Sequence, residues 1–113
     1  MYVRIARFEG GTTAEIEEEG ARIRRDLETA RRGEDSPEVP SGLALLASRI
    51  EMLIDRERGA VAMLVYAETG EQAREIDRIM DGMSPSSGEW GKRVSADVYE
   101  VFLDEEPGLA QAA

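Results

Sequence analysis

Cysteine, histidine and asparagine are all absent from this 113-residue chain. Without cysteine there is no disulfide and no thiol nucleophile. Without histidine the commonest general base, the commonest metal ligand and the usual imidazole ligand of haem iron are missing. Lysine is scarce as well, with Lys92 alone against thirteen arginines. Aromatic residues are few: one Trp, three Tyr and two Phe. No apolar run approaches the ~20 residues that a membrane helix needs, so no membrane partner is expected. The opening Met1-Tyr2-Val3-Arg4 runs straight into a strand pattern and shows no signal-peptide layout. A cytoplasmic protein is the expectation.

What the chain has in abundance is acid. Its formal net charge is −10, and such a body repels phosphate backbones. Nucleic acid is therefore not an expected partner. The arginine excess fits either GC-rich coding or an ion-pair-rich surface adapted to heat. The length suits a single domain with a core that needs no staples. We expect that domain over residues 1–104, with a short tail over 105–113.

The order of elements carries most of the information. Tyr2–Glu9 reads as a strand with Val3, Ile5 and Arg7 on one side and Tyr2, Arg4, Ala6 and Phe8 on the other. Gly10-Gly11 breaks it. Thr12 then caps a helix, with Glu15 as its capping-box partner. Ile16, Gly20, Ile23, Leu27 and Ala30 form the helix's apolar stripe, and Gly33 ends it. A loop over 34–42 carries Pro37, Pro40 and Gly42. A second strand is predicted over Leu45–Asp55 and a third over Ala60–Ala67. Gly59 suits the left-handed residue that closes the hairpin between them. A four-residue loop sets Ile50, Met52 and Ile54 beside Val61, Met63 and Val65; a bulged three-residue loop sets them beside Ala62, Leu64 and Tyr66. The sequence leaves both registers open, and one residue of slip swaps the faces.

Thr69 caps a second helix with Gln72 as its partner. Ala73, Ile76, Ile79 or Met80, and Met83 form the buried stripe. A polar connection over Ser84–Gly91 carries Trp90, and Val94–Leu103 reads as the last strand. The resulting βαββαβ order predicts an α+β fold of the ferredoxin-like kind: one four-stranded antiparallel sheet with two helices on one face. The third strand is apolar on both sides. The fourth shows Val94, Ala96, Val98 and Phe102 on one side and Tyr99, Val101 and Leu103 on the other. Two helices cover one face only, which leaves several hundred Å² of apolar sheet, more than a soluble monomer usually exposes. A second copy of the chain is the simplest cover, so a homodimer through the sheet faces is expected.

With this element order, the Gly42-to-Gly59 segment, the acid-rich capped helix after Tyr66-Ala67-Glu68 and the ending Val98-Tyr99-Glu100-Val101, the chain resembles the antibiotic-biosynthesis-monooxygenase-like group of dimeric α/β barrels. The resemblance covers residues 1–104 and rests on hydrophobicity and turns, not on a signature motif. It implies a dimeric α/β barrel with a small-molecule cleft between sheet and helices. It also implies a role as a cofactor-independent monooxygenase acting on an aromatic or polyketide-type substrate. The alternative is a non-catalytic dimeric ligand-binding or protein-interaction module. The haem-degrading branch of the group relies on an Asn, a Trp and a His. Only Trp90 is available here, which sets that branch aside.

Few residues offer chemistry. Gly10-Gly11-Thr12-Thr13 opens a helix, but Glu15, Glu17, Glu18 and Glu19 follow and would repel an anion. Glu17–Glu19 and Asp104–Glu106 read as a solvated helix face and an acidic tail, without calcium-loop spacing. No metal and no cofactor are expected. The informative polar residues are those inside strands: Arg4, Arg7, Arg49, Glu51, Asp97 and Glu100. A charge on a covered sheet face must be paired. Arg49 and Glu51 share a face, as an ion pair or as an anion holder beside a proton-transfer group. Tyr66, Trp90 and Tyr99 are the side chains able to stack on or hydrogen-bond a small aromatic ligand. These five residues are the candidate site.

Overall fold

Strand alternation sorts the side chains into two populations, and every helix sits over only one of them. The structure is a computed structural model that describes residues 1–34, 41–82 and 91–108. The element order is β1 (Tyr2–Gly10), α1 (Thr13–Arg31), α2 (Ser41–Leu46), β2 (Arg49–Asp55), β3 (Ala60–Ala67), α3 (Gly70–Gly82) and β4 (Gly91–Glu100). The strands form one antiparallel sheet in the order β2-β3-β1-β4. This is α+β architecture with an open four-stranded sheet, compatible with a ferredoxin-like fold.

The helices begin where the caps place them. Thr12 Oγ1 accepts from the Glu15 backbone N–H at 3.2 Å. At α3 the box is reciprocal: Gln72 N–H donates to Thr69 Oγ1 at 3.1 Å and Thr69 N–H donates to Gln72 Oε1 at 3.2 Å. Ile16 and Ile23 of α1 and Ala73 and Ile76 of α3 are buried against the sheet. They meet Ala6 and Phe8 of β1 and Val61, Met63 and Val65 of β3, with Ile50, Met52, Ile54, Ala96 and Val98 packed around them.

Four sequence expectations need correction. The second strand starts at Arg49, not at Leu45, because Ser41–Leu46 coils into a third helix over the same face. Its Gly-Leu-Ala-Leu-Leu run is rich in strong helix formers, and a short apolar run does not separate strand from helix by periodicity. Leu43 of this turn is only 2% exposed and helps close the core. Glu19 is buried, not solvated, and pairs with Arg22 at 3.2 Å. The last strand ends at Glu100, so Phe102 and Leu103 lie beyond it. Finally, Val94 does not share the covered side with Ala96 and Val98. The β1–β4 register shifts between Arg7 and Phe8, which inserts Val94 as an extra residue and leaves it 59% exposed. Of the expected 34–42 loop, residues 41 and 42 belong to α2 and 35–40 fall outside the described residues, as do Met83 and Trp90.

The register question is answered by the hairpin. Ile50 pairs with Val65, Met52 with Met63 and Ile54 with Val61, the four-residue-loop alternative. Asp55 holds that loop by accepting from the backbone N–H groups of Glu57 at 3.1 Å and Arg58 at 3.2 Å. Gly59 sits at φ 63°, and a Cβ there would come within 2.3 Å of the Gly11 carbonyl oxygen. Only glycine fits that approach of hairpin to β1 exit.

Candidate functional site

Register also decides which candidate residues meet. On the face without helices, Arg49 pairs with Tyr66, Tyr66 with Val3, and Val3 with Tyr99. The next cross-strand row is Glu51, Leu64, Ile5 and Asp97, and the one after it is Leu53, Ala62, Arg7 and Ser95. Four of the five candidates, Arg49, Glu51, Tyr66 and Tyr99, thus share one end of the open sheet face. They do not line a cleft between sheet and helices, which is where the family resemblance would have put them. Trp90 lies outside the described residues.

Within that end, three side chains form a chain of contacts. Arg49 Nη2 donates to Glu51 Oε2 at 3.2 Å. The Glu51 carboxylate is hydrogen-bonded to the Tyr66 hydroxyl, and this contact, with burial and then the nearby Glu51 charge, pushes the phenol above its usual pKa of 10.0. Arg49 opposes the shift and Asp104 reinforces it, so the tail's first acid passes near this end of the sheet. Tyr66 is a proton donor held in its neutral form. Glu51 is an acceptor already engaged on both sides. Tyr99 stands one strand beyond Val3 and is 48% exposed.

The other end of the same face is different. An open groove of about 490 Å³ is lined by Glu9, Gly10, Arg58, Lys92 and Val94. Gly10 and Val94 give it a small apolar floor, and its rim carries the cations Arg58 and Lys92 together with the Glu9 carboxylate. Arg58 Nε donates to Asp55 Oδ2 at 2.7 Å; for Lys92 no ion pair is found among the described residues.

Sequence reasoning noted Arg4 but did not select it, although it is the most deeply placed charge in a strand. It lies on the covered face and is 2% exposed. Arg4 Nε donates to Asp77 at 2.8 Å, Nη2 to Asp81 at 3.1 Å and Nη1 to the Met80 sulfur at 3.6 Å. The Val94 bulge turns Arg93 to this side, where it donates to Asp81 at 2.7 Å. The signal was available: an arginine in the apolar phase of β1, with Asp77 and Asp81 at i,i+4 on the second helix. This cluster ties α3 to the sheet and offers no open coordination position, so it reads as structure rather than as a site.

No group of three or more acidic residues among the described residues is arranged to hold a metal ion, and no helix among them is long and apolar enough to cross a membrane. No family model, curated protein or solved structure matches the chain. Fold and geometry define an α+β protein with one helix-covered and one open sheet face, the open face carrying a polar cluster at one end.

Proposed function

We propose that this chain is a non-catalytic homodimeric module. Two open sheet faces close on each other as a dimeric α/β barrel and hold a small aromatic ligand at the Arg49–Glu51–Tyr66 cluster. The observation that carries this reading is the open face itself. Ile5, Ala62, Leu64, Leu53, Tyr66 and Tyr99 come from all four strands and lie opposite every helix, around a Val3 that is already buried in the single chain. Leu53 is 51% exposed and Tyr99 48% exposed, on a surface that water disfavours.

The cluster sits toward a corner, and twisted sheets packed face to face diverge at their corners. A ring could enter there, stack on Tyr99, donate a hydrogen bond to the Tyr66 hydroxyl oxygen and turn an acidic substituent to Arg49. Cofactor-independent oxygenation is the competing reading, and it needs a free base to deprotonate a phenol. The Glu51 carboxylate is committed to Arg49 and Tyr66, which favours binding over catalysis.

Light scattering at low micromolar concentration should return about twice the 12.5 kDa chain mass. Native mass spectrometry of the protein as purified should show a small adduct that is lost from Tyr66→Phe and Arg49→Met. A clean monomer removes the barrel. A dimer whose adduct survives both substitutions removes the site. Consumption of oxygen with a phenolic substrate, abolished by Glu51→Gln, would restore the enzyme reading.

A further inference from the structure

Beyond β4 the chain exposes two large apolar side chains: Phe102 is 95% and Leu103 75% exposed. Three acids follow, Asp104, Glu105 and Glu106. Such a segment is unfavourable in water unless it has a seat. We propose that it is an arm that docks in trans. Phe102 and Leu103 of one copy fill the groove of the second copy lined by Glu9, Gly10, Arg58, Lys92 and Val94, and the acids meet that groove's Arg58 and Lys92. The inference rests on the sheet-face dimer and deepens it by naming the residues each copy contributes to the other.

Three observations converge on this seat. The first is chemical: an apolar pair followed by acids meets a floor that includes Val94 and a rim where Lys92 and the Asp55-paired Arg58 outnumber the single acid, Glu9. The second is geometric. The arm leaves one end of β4, and the groove lies at the other end, beside Lys92 and Val94. Six residue steps of strand from Val94 to Glu100 span about 20 Å, and Phe102 lies beyond that end, so a copy's own arm does not reach its own groove. A two-fold axis lying across the strands stacks β4 on the partner's β4 in antiparallel sense. That operation brings each arm over the other copy's groove, twice per dimer. An axis along the strands would instead keep each arm at the end away from the partner's groove and leave both grooves empty.

The third observation is area. Four strands ~4.8 Å apart and about seven residues long give a face of roughly 450 Å² per copy, or about 900 Å² for two. Stable interfaces bury about 1,200–2,000 Å². A docked aromatic and its leucine neighbour, with the groove surface they cover, add roughly 300 Å² per arm and bring the total to about 1,500 Å². The faces alone fall short; faces and arms together suffice.

The test uses the 113-residue chain, whose lack of cysteine makes engineered thiols unambiguous. Phe102→Cys and Val94→Cys are made as separate proteins, one with a mass tag, mixed and oxidised mildly. The expected product is a mixed disulfide dimer, with neither variant cross-linking efficiently to itself. Because a disulfide needs Cα atoms within about 7 Å, this bond can form only between copies. In parallel, Phe102→Ser should weaken dimerisation in sedimentation equilibrium by a factor of roughly 30 or more, as for a buried aromatic anchor, with the monomer's thermal unfolding unchanged. Reversing the rim with Arg58→Glu and Lys92→Glu should weaken it too, and Asp104→Lys with Glu105→Lys should restore it. A wild-type dimer with no mixed disulfide and an unaltered Phe102→Ser dissociation constant overturns the arm and leaves the face dimer standing. A wild-type monomer at all concentrations overturns both.

Discussion

Arg4 provides the sharpest test of how this fold is held. Its side chain is 3% exposed on the covered face of a central strand, and its counter-charges come from α3. Asp77 and Asp81 retain 35% and 49% of their side-chain exposure, so they can rehydrate if Arg4 is removed, whereas Arg4 cannot if they are. The two sides of the interaction should therefore respond unequally. Asp77→Asn with Asp81→Asn strands a buried cation, and breaking a buried pair in this way costs about 3–5 kcal/mol. Arg4→Met keeps the apolar stem against Met80, removes the desolvated charge and should change stability by less than about 1 kcal/mol. For a domain of this size about 4 °C of melting temperature accompanies each kcal/mol, so the double Asn variant should melt roughly 12–20 °C lower. Both variants are compared with wild type by urea and thermal unfolding at one fixed protein concentration, since dimerisation would add its own term.

Acid titration supplies a second readout of the same cluster. The Asp81 carboxyl lies below its ordinary 3.8, first because Arg93 hydrogen-bonds it, with the Arg93 and Arg4 charges assisting against burial. A depressed folded-state pKa contributes stability above the unfolded value and loses it as pH falls through the folded one. Wild type should thus weaken from about pH 4 downward, and Asp81→Asn should flatten that limb. If Arg4→Met costs as much as the double Asn variant, or if the double variant melts with wild type, Arg4 is not the buried, α3-paired charge described here.

Arg49 should behave as a surface residue in the isolated chain. Its side chain is 68% exposed, so Arg49→Ala and Arg49→Met should each unfold within ~0.5 kcal/mol of wild type at sub-micromolar protein; a loss of about 3 kcal/mol there would mean the pair is already desolvated in one copy. The Tyr66 phenol should ionise above pH 10.0 in an ultraviolet titration read as the difference from Tyr66→Phe, and Glu51→Gln should bring it down. A raised pKa contributes stability below the unfolded value that is lost as pH climbs through the folded one, so the alkaline limb should also soften in Glu51→Gln. Hemin titration should give no saturable Soret shift at stoichiometric protein, since neither His nor Cys is present; a defined one-to-one spectrum would refute this and direct attention to Tyr66 and Tyr99.

Local chemistry was enough to write much of this fold from the sequence. Threonine caps three residues ahead of Glu15 and Gln72 start α1 and α3 because short side-chain bonds satisfy helix N–H groups without tertiary help. Gly59 closes the hairpin because a positive φ is inexpensive only for glycine. The two-sided apolar character of β3 already pointed to a face left open. Three things needed the tertiary structure. Leu43–Leu46 became helix because a packed core, not periodicity, decides a short apolar run. The hairpin register followed from the Asp55-tied loop, and with it came the meeting of Arg49, Glu51, Tyr66 and Tyr99 on the open face. A single inserted residue, Val94, reversed β4's phase and sent Arg93 to Asp81 on the other side of the sheet. Registers and bulges are set by long-range pairing, where one residue of slip exchanges the two faces, and nothing local in a strand's sequence records that choice.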